Sequence, residues 1–407
     1  MRTLVLSLVL AAGLLPAGLA AAQEPDDASK IIRGRYQAIL GDCAACHTTP
    51  GARPLSGGRP LETPFGELIP PNITPDKASG IGVWSEADFH RMMKTGIGHD
   101  GKRLYPAMPY PAYTKMTDTD ISDLWAYLRT VEPVFNPVES NQLPFPFNIR
   151  LSMLGWNMVN FEEGSFRPDP EKSAEWNRGA YIVQGPGHCG TCHSPKTFLG
   201  ADKTSAFLQG ASLQGWYAPN ITGNAQIGIG TWSEDDIVRY LKTGANDHTI
   251  ASGPMAEAIE ASTSQMTAED LKAIATYLKS LDRGPDEKPA ALTASATGMK
   301  AGAAIYHDTC SACHGGDGKG APQLFPALAG SMLVQQPSAE TLARLVLNGS
   351  QAVHTPEART TPAMPSLAWR LSDQQIADVL TYIRNAWGNA APAVAASDVK
   401  AQRDRGS

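Results

Sequence analysis

Cys43-Ala44-Ala45-Cys46-His47 is the stretch that decides the fold, because its pattern of two cysteines and a histidine occurs twice more. The other copies are Cys189-Gly190-Thr191-Cys192-His193 and Cys310-Ser311-Ala312-Cys313-His314, so the three copies contain all six cysteines. A single Cys-x-x-Cys is also typical of a redox dithiol or half a zinc site. Three copies with histidine in the same place, and no cysteine elsewhere, fit neither.

Cys-x-x-Cys-His is the attachment sequence of a c-type haem, because two thiols a short turn apart form thioethers with the porphyrin and the adjacent histidine binds its iron. The sequence therefore predicts three covalently bound haem c groups. The attachment residues are Cys43, Cys46, Cys189, Cys192, Cys310 and Cys313, and the iron ligands are His47, His193 and His314.

The length of 407 residues suits about three domains, one for each haem. We expect an all-α fold of three tandem cytochrome c-type domains, each a few helices around one covalent haem, with little β-strand. The predicted segments are a signal peptide (1–22), domain 1 (30–135), a connector (136–170), domain 2 (171–282), a linker (283–297), domain 3 (298–388) and a disordered tail (389–407). The formal charge of −6, without a long basic run, does not suggest nucleic-acid binding.

The amino terminus has the features of a secretory signal: Arg2, an apolar stretch over residues 4–15, and small residues ending at Ala22. The alternative is an uncleaved membrane anchor, for which the apolar stretch is short. We expect an exported protein located in the periplasm, peripheral on the periplasmic face of the inner membrane.

An internal repeat relates the first two domains at an offset of 146 to 148 residues. Pro71-Asn72-Ile73-Thr74 matches Pro219-Asn220-Ile221-Thr222, and Trp84-Ser85-Glu86 matches Trp232-Ser233-Glu234. A helix is expected before each haem motif, and an amphipathic helix at the end of each domain. The predicted N-caps of those final helices are Thr117, Thr267 and Ser372, each with an acidic or amide residue three positions later to complete a capping box.

The connector holds an apolar run over residues 147–161, which Arg150 and Asn157 interrupt. It is interpreted as a helix or extended segment packed between the first two domains. The alternative is a surface that meets a partner subunit or the membrane interface.

A methionine in each domain is the candidate sixth iron ligand, since methionine sulfur commonly fills this position in electron-transfer cytochromes. The candidates are Met108, Met255 and Met364, each in a proline-rich segment expected to hold an extended loop against the haem. The repeat aligns Met108 with Met255. The competing ligands are His99 and His248, which also occupy nearby positions in the two copies.

The chain resembles the triple-haem cytochrome c subunit of bacterial membrane-associated dehydrogenases of the alcohol, gluconate, sorbitol and fructose type. The resemblance covers nearly all of residues 30–388. It is carried by residues 33–36 (RGRY), 70–75 (PPNITP), 104–110 (LYPAMPY), 177–181 (NRGAY), 187–193 (GHCGTCH) and 253–258 (GPMAEA).

The resemblance implies an electron-transfer subunit without catalytic residues of its own. It would pass electrons from a periplasmic catalytic subunit of flavin, pyrroloquinoline quinone or molybdenum type to ubiquinone or another respiratory carrier, such as a terminal oxidase. The catalytic subunit would oxidise a small alcohol, sugar, sugar acid or aldehyde. In that family the axial pairs fall on His47 with Met108, His193 with Met255, and His314 with Met364. Two alternatives stay open: a free periplasmic electron shuttle feeding an oxidase, and a haem enzyme such as a peroxidase.

Overall fold

The computed structural model describes residues 27–282 and 289–405. The predicted signal peptide (1–22) and residues 283–288 of the predicted linker lie outside these ranges. No helix within the described ranges is long and apolar enough to span a bilayer.

Domain 1 is helical apart from a short hairpin. Helices α1 to α5 span Asp27–Leu40, Cys43–His47, Glu86–Thr95, Tyr110–Tyr113 and Asp118–Leu128. Strands β1 (Leu61–Thr63) and β2 (Gly66–Leu68) pair antiparallel with Leu61 opposite Leu68, and β3 (Asn141–Gln142) of the connector joins β2. The connector then forms α6 (Ser152–Asn160).

Domain 2 repeats this arrangement. Helices α7 to α11 span Ala174–Gln184, Gly190–His193, Glu234–Thr243, Gly253–Ala261 and Ala268–Ser280, and the hairpin strands β4 and β5 span Ala211–Leu213 and Trp216–Ala218. Single 3-10 turns occur at Thr204–Ala206 and Thr263–Gln265.

Domain 3 contains α12 (Met299–Ile305), a π-helical turn (Tyr306–Cys310), α13 (Ser311–His314), α14 (Glu340–Asn348) and α15 (Asp373–Ile383). Strands β6 (Ser350–Gln351) and β7 (Ala363–Met364) pair antiparallel. The all-α prediction is confirmed, since the strands span only two or three residues each.

The first and last helices of each domain cross at a glycine. In domain 1, α1 crosses α5 at Gly34, where an added Cβ would lie 1.8 Å from the Asp123 carbonyl oxygen. The equivalent distances are 1.9 Å at Gly179 in domain 2 and 2.1 Å at Gly302 in domain 3. A tyrosine on the final helix lies beside each glycine: Tyr127, Tyr277 and Tyr382. The crossing brings the two backbones into contact, and the haem motif follows directly after the first helix.

The predicted N-caps of the final helices are confirmed at Thr117, Thr267 and Ser372. The capping boxes are only partly as predicted. Gln375 completes the box in domain 3, whereas the carboxylates of Asp120 and Asp270 turn away from their own caps. Tertiary contacts explain this difference, because both carboxylates bind side chains of the neighbouring domain.

Domains 1 and 2 meet through these carboxylates in a reciprocal contact. The Tyr36 hydroxyl of domain 1 donates to Asp270 Oδ2 at 2.7 Å, and the Tyr181 hydroxyl of domain 2 donates to Asp120. Tyr36 and Tyr181 occupy equivalent positions, as do Asp120 and Asp270, so the interface has a local two-fold pseudosymmetry.

Domain 3 packs on domain 2 beside the segment that carries Met255. The Tyr217 backbone N–H donates to Thr341 Oγ1 at 2.8 Å, and that hydroxyl donates to the Tyr217 carbonyl oxygen at 3.1 Å. Val353 of domain 3 lies in an apolar cluster with Ala251 and Ile259, which Met255 also contacts. Domain 2 therefore contacts both other domains.

The carboxyl-terminal tail corrects a prediction. Instead of being disordered, it forms α16 (Ala396–Arg405), which packs on α14 and α15. Val399 is fully buried, and Arg403 Nε donates to Asp373 Oδ1 at 2.7 Å. The sequence pattern is weak because most of the helix is polar, so this order depends on a few contacts with domain 3.

The helix crossing generates a stability prediction. Gly34→Ala forces the two backbones apart, so we expect it to lower the free energy of unfolding by about 1–3 kcal/mol. The control is Gly155→Ala, since that glycine lies in α6 with open space around its Cβ position. The control should lose no stability, because alanine favours a helix over glycine by up to about 1 kcal/mol. Equal urea midpoints for the two variants would contradict the crossing.

Candidate haem sites

Each motif histidine is oriented by a backbone carbonyl. The Nδ1 atoms of His47 and His193 each lie 2.7 Å from a carbonyl oxygen, and Nδ1 of His314 lies 3.0 Å from one. The three acceptors are Pro71, Pro219 and Pro326. A carbonyl can only accept, so Nδ1 carries the proton and Nε2 keeps its lone pair for a metal. Burial lowers the pKa of all three histidines, despite the carbonyl hydrogen bonds, and favours the neutral form that binds iron.

No motif cysteine forms a disulfide, and the first cysteine of each motif packs against the apolar core of its own domain. Burial raises the pKa of Cys43 and of Cys189 to about 12, and that of Cys310 to about 11. A redox dithiol needs a lowered thiol pKa, so the dithiol interpretation gains no support. Within the described ranges no group of three or more histidine, cysteine, aspartate or glutamate residues is arranged to hold a metal ion. The residues fit thioether attachment of a haem.

The three candidate methionines lie in the cores of their own domains. Met108 packs in the same apolar cluster as Cys43, Met255 in the cluster of Cys189, and Met364 in the cluster of Cys310. Each methionine is partly buried. The structure thus brings each one into the core that also receives its own haem motif.

The local structure around the methionines differs between domains. Met108 lies in a turn, with its N–H donating to the Tyr105 carbonyl oxygen at 3.0 Å, and Met364 lies on β7. Met255 lies in the first turn of α10, so the expectation of an extended loop is wrong there. Pro254 explains this, because proline near the start of a helix supplies a suitable φ and needs no hydrogen-bond donor.

The competing histidines lie at the surface. His99 Nδ1 is 2.9 Å from Asp88 Oδ2, and the ring stacks on Trp84 at 5.9 Å. His248 makes the equivalent contacts with Asp236 and Trp232, at 3.4 Å and 5.3 Å. Both aspartates belong to the capping boxes that begin α3 and α9. These contacts account for both histidines without an iron.

The residue before the first cysteine is left-handed in both repeated domains, with φ of 46° at Asp42 and 36° at His188. Aspartate and histidine tolerate this conformation better than most residues. His188 Nε2 lies 3.2 Å from the Gly41 carbonyl oxygen, so the two haem motifs meet across the domain interface. The sequence shows that Asp42 and His188 occupy equivalent positions, but the contact between the two motifs depends on the tertiary fold.

A buried carboxyl group accompanies this contact. Burial raises the pKa of Asp42 to about 8, with Glu257 of α10 adding to the effect and Arg59 opposing it. Arg59 Nη1 donates to the Ala45 carbonyl oxygen at 2.8 Å inside the first haem motif, and Arg59 Nη2 donates to Glu257 at 2.7 Å. This link ties the first haem motif to the helix that carries Met255. Sequence reasoning did not identify these residues.

The cytochrome c family model matches residues 33–132, 177–282 and 299–387. The chain belongs to the cytochrome c family. It is 38% identical over 419 residues to the cytochrome c subunit of gluconate 2-dehydrogenase of Pantoea cypripedii, covering 98% of this chain and 94% of the relative. It is 39% identical over 417 residues to the cytochrome c subunit of alcohol dehydrogenase (quinone) of Gluconacetobacter polyoxogenes, covering 98% and 89%.

A third relative is longer. The chain is 40% identical over 378 residues to a subunit of the nicotinate dehydrogenase of Pseudomonas putida, which covers 90% of this chain but only 31% of that protein. Together the comparisons confirm the resemblance to dehydrogenase cytochrome subunits. The protein carries three covalently bound haem c groups.

The buried Asp42 generates a pH prediction. Its folded pKa of about 8 lies above the value of about 3.9 in an unfolded chain, so the carboxyl group costs stability as it ionises. The contribution of Asp42 to the free energy of unfolding should therefore fall as pH rises from about 4 to about 8. Asp42→Asn removes the titration, and asparagine tolerates the left-handed backbone. We expect the stability advantage of the variant over wild type to grow as pH rises through this range and to exceed about 1 kcal/mol at its upper end. Thermal unfolding at several pH values measures this, and a difference that does not change with pH would contradict it.

Proposed function

We propose that this chain is the electron-transfer subunit of a dehydrogenase complex. It would take electrons from a separate catalytic subunit of flavin, pyrroloquinoline quinone or molybdenum type and pass them to ubiquinone or another respiratory carrier. The observation that carries the proposal has two parts. Each of the three haem motifs has an oriented histidine and a methionine in the core of its own domain. The chain also matches nearly the whole length of two dehydrogenase cytochrome subunits.

The proposed axial pairs are His47 with Met108, His193 with Met255, and His314 with Met364. When bound, each haem carries one electron through the Fe(III)/Fe(II) couple of its iron. The protein holds the histidine rings in one orientation through the carbonyl hydrogen bonds. Each methionine packs against the apolar cluster of its domain, and a thioether ligand in apolar surroundings favours a high potential.

Domain 2 holds the middle position in the proposed electron path. The motifs of domains 1 and 2 adjoin, since His188 contacts Gly41 and the helix bearing Met255 packs against the first motif. Burial, with the charge of Asp42, raises the pKa of Cys46 to about 11, and Cys192 of the second motif also contributes. Domain 3 also packs against the Met255 segment, through Val353. We infer that electrons cross between domains 1 and 3 through the haem of domain 2.

The proposed location is the periplasm, peripheral on the inner membrane. The sequence of the first 22 residues supports export, and c-type haem attachment needs thiols that are free to react. All six thiols are placed in haem motifs, without a disulfide among them.

Purification from the native host in mild detergent tests the proposed function. A flavoprotein, quinoprotein or molybdoprotein dehydrogenase should remain bound in stoichiometric amount and be identified by mass spectrometry. Its substrate should then reduce the haems of this chain. A protein purified without a partner, with haems that no dehydrogenase reduces, would favour the free shuttle that feeds an oxidase.

The axial pairs are tested by Met108→His. Histidine lowers the potential of a haem relative to methionine, so we expect one of three midpoints to fall while the other two stay. The sulfur-to-iron absorption band of the oxidised protein should lose about a third of its intensity, since one of three sulfur ligands is gone. The controls are Met158→His, at an exposed methionine, and His99→Ala. A changed midpoint potential in His99→Ala, together with unchanged midpoints in Met108→His, would assign the iron ligand to His99 instead of Met108.

A further inference from the structure

We propose that Val353 of domain 3 is a positioning residue for the haem of domain 2, because it holds in place the segment that carries Met255. The inference deepens the proposed function and rests on the proposed axial pair of His193 with Met255. Val353 lies in the segment that joins β6 to β7, and its side chain is buried, with 6% exposed.

The repeat of domains 1 and 2 shows which side chain Val353 replaces. Gly96 and Gly244 follow the equivalent helices α3 and α9, both as left-handed caps. At Gly96 an added Cβ would lie 2.8 Å from the ring of Tyr110, which belongs to domain 1 itself. At Gly244 it would lie 2.1 Å from Val353 Cγ1, which belongs to domain 3. The same site is therefore filled from within domain 1 but from outside domain 2.

Domain 2 lacks the side chains with which domain 1 fills this site. The repeat aligns Leu104 with Ala251, and the N–H of each donates to the carbonyl oxygen of the capping glycine, at 2.8 Å and 2.7 Å. It also aligns the buried Tyr110 with Glu257, whose carboxylate instead binds Arg59 of domain 1. Because protein interiors are closely packed, an apolar side chain from another part of the chain is needed to fill the space.

Two equivalent lysines show the same exchange of neighbours. Lys94 of domain 1 and Lys242 of domain 2 each donate to two backbone carbonyl oxygens of their own domain. Lys94 Nζ also donates to Ser165 Oγ of the connector at 2.8 Å, whereas Lys242 Nζ lies 3.5 Å from Glu357 Oε1 of domain 3. The segment between β6 and β7 therefore covers domain 2 where the connector covers domain 1.

Val353 reaches the ligand segment through one apolar cluster. Ala251 and Ile259 of domain 2 form this cluster with Val353, and both are almost completely buried. Met255 packs against the same cluster from α10. Because residues four apart share a helix face, Met255 and Ile259 contact the cluster from one side of that helix. Val353 thus packs against the helix that carries the proposed ligand of domain 2.

Met364, the proposed ligand of domain 3, is held by other contacts. Its strand β7 pairs with β6, where Met364 lies opposite Ser350. The Leu367 N–H donates to the Val346 carbonyl oxygen of α14 at 2.9 Å. These hydrogen bonds remain within domain 3, so loss of the Val353 side chain should affect the ligand of domain 2 and leave that of domain 3 in place.

The contacts of Val353 favour the state in which the Met255 sulfur binds the iron, because they are lost when the segment shifts. Methionine ligation raises the potential of a haem, and a haem that loses its sixth ligand has a position open to carbon monoxide. The midpoint potential of domain 2 and the rate of carbon monoxide binding therefore report on Val353.

Val353→Ala in the mature three-haem chain tests the proposal. Midpoints are assigned to domains with Met108→His and Met255→His, each of which should lower the potential of one haem. The matched control is Val379→Ala, since Val379 is a buried valine of domain 3 in a different apolar cluster. Thermal unfolding checks that both valine variants fold, and mixing the reduced proteins with carbon monoxide measures access to the iron.

In Val353→Ala the midpoint of domain 2 should fall, while those of domains 1 and 3 keep their wild-type values. Carbon monoxide should bind one haem in three at least about tenfold faster than in wild type, because the cavity left by the lost methyl groups weakens the ligated state. The control should lose stability and keep the domain 2 midpoint.

An unchanged domain 2 midpoint and an unchanged carbon monoxide rate in Val353→Ala overturn the proposal. An equal fall of that midpoint in the control, or a fall in domain 3 instead of domain 2, overturns it as well. If Met255→His moves no midpoint, the axial pair is wrong and this inference falls with it. None of these readouts needs a dehydrogenase, so haems that no dehydrogenase reduces would remove the proposed function without altering them.

Discussion

The contact between the first and last helices of each domain is the constraint on which the rest of the structure depends. At Gly34, Gly179 and Gly302 the two backbones touch, and any side chain would enter a carbonyl oxygen of the facing helix. The haem motif begins within a few residues of the first helix, so the crossing sets where the cysteines and histidine lie. The final helix closes the apolar cluster that also contains the candidate methionine. The two proposed axial ligands thus come from chain segments that this crossing holds together.

The same final helices also join the first two domains. Asp120 and Asp270 follow their N-caps by three residues, yet each binds a tyrosine of the other domain instead of its own cap. Domain 3 is not part of this pseudosymmetric pair, and its equivalent residue, Gln375, completes the capping box of its own helix. The interface therefore uses two carboxylates that would otherwise complete the capping boxes of their own helices. Its result is that two haem motifs adjoin, which is the geometry that electron transfer between neighbouring haems requires.

Local chemistry explains how far the sequence could predict this protein. The haem motifs, the helix before each motif, the repeat and the N-caps at Thr117, Thr267 and Ser372 all depend on residues close together in the chain, and each was predictable. The diverted carboxylates, the meeting of Asp42 with Glu257 and the order of α16 depend on distant contacts. Met255 in α10 shows an intermediate case, because Pro254 carries the signal for a helix start as well as for a loop.

A spectroelectrochemical titration of the mature protein tests the central claim most directly. We expect three reversible one-electron steps, a sulfur-to-iron absorption band in the fully oxidised form, and no binding of carbon monoxide to the fully reduced form, because the proposed histidine and methionine pairs would fill both axial positions of each iron. Fewer than three steps would contradict three haem c groups. Rapid carbon monoxide binding at any of them would show an open iron position, and with it a haem that acts on a small molecule rather than only carrying electrons.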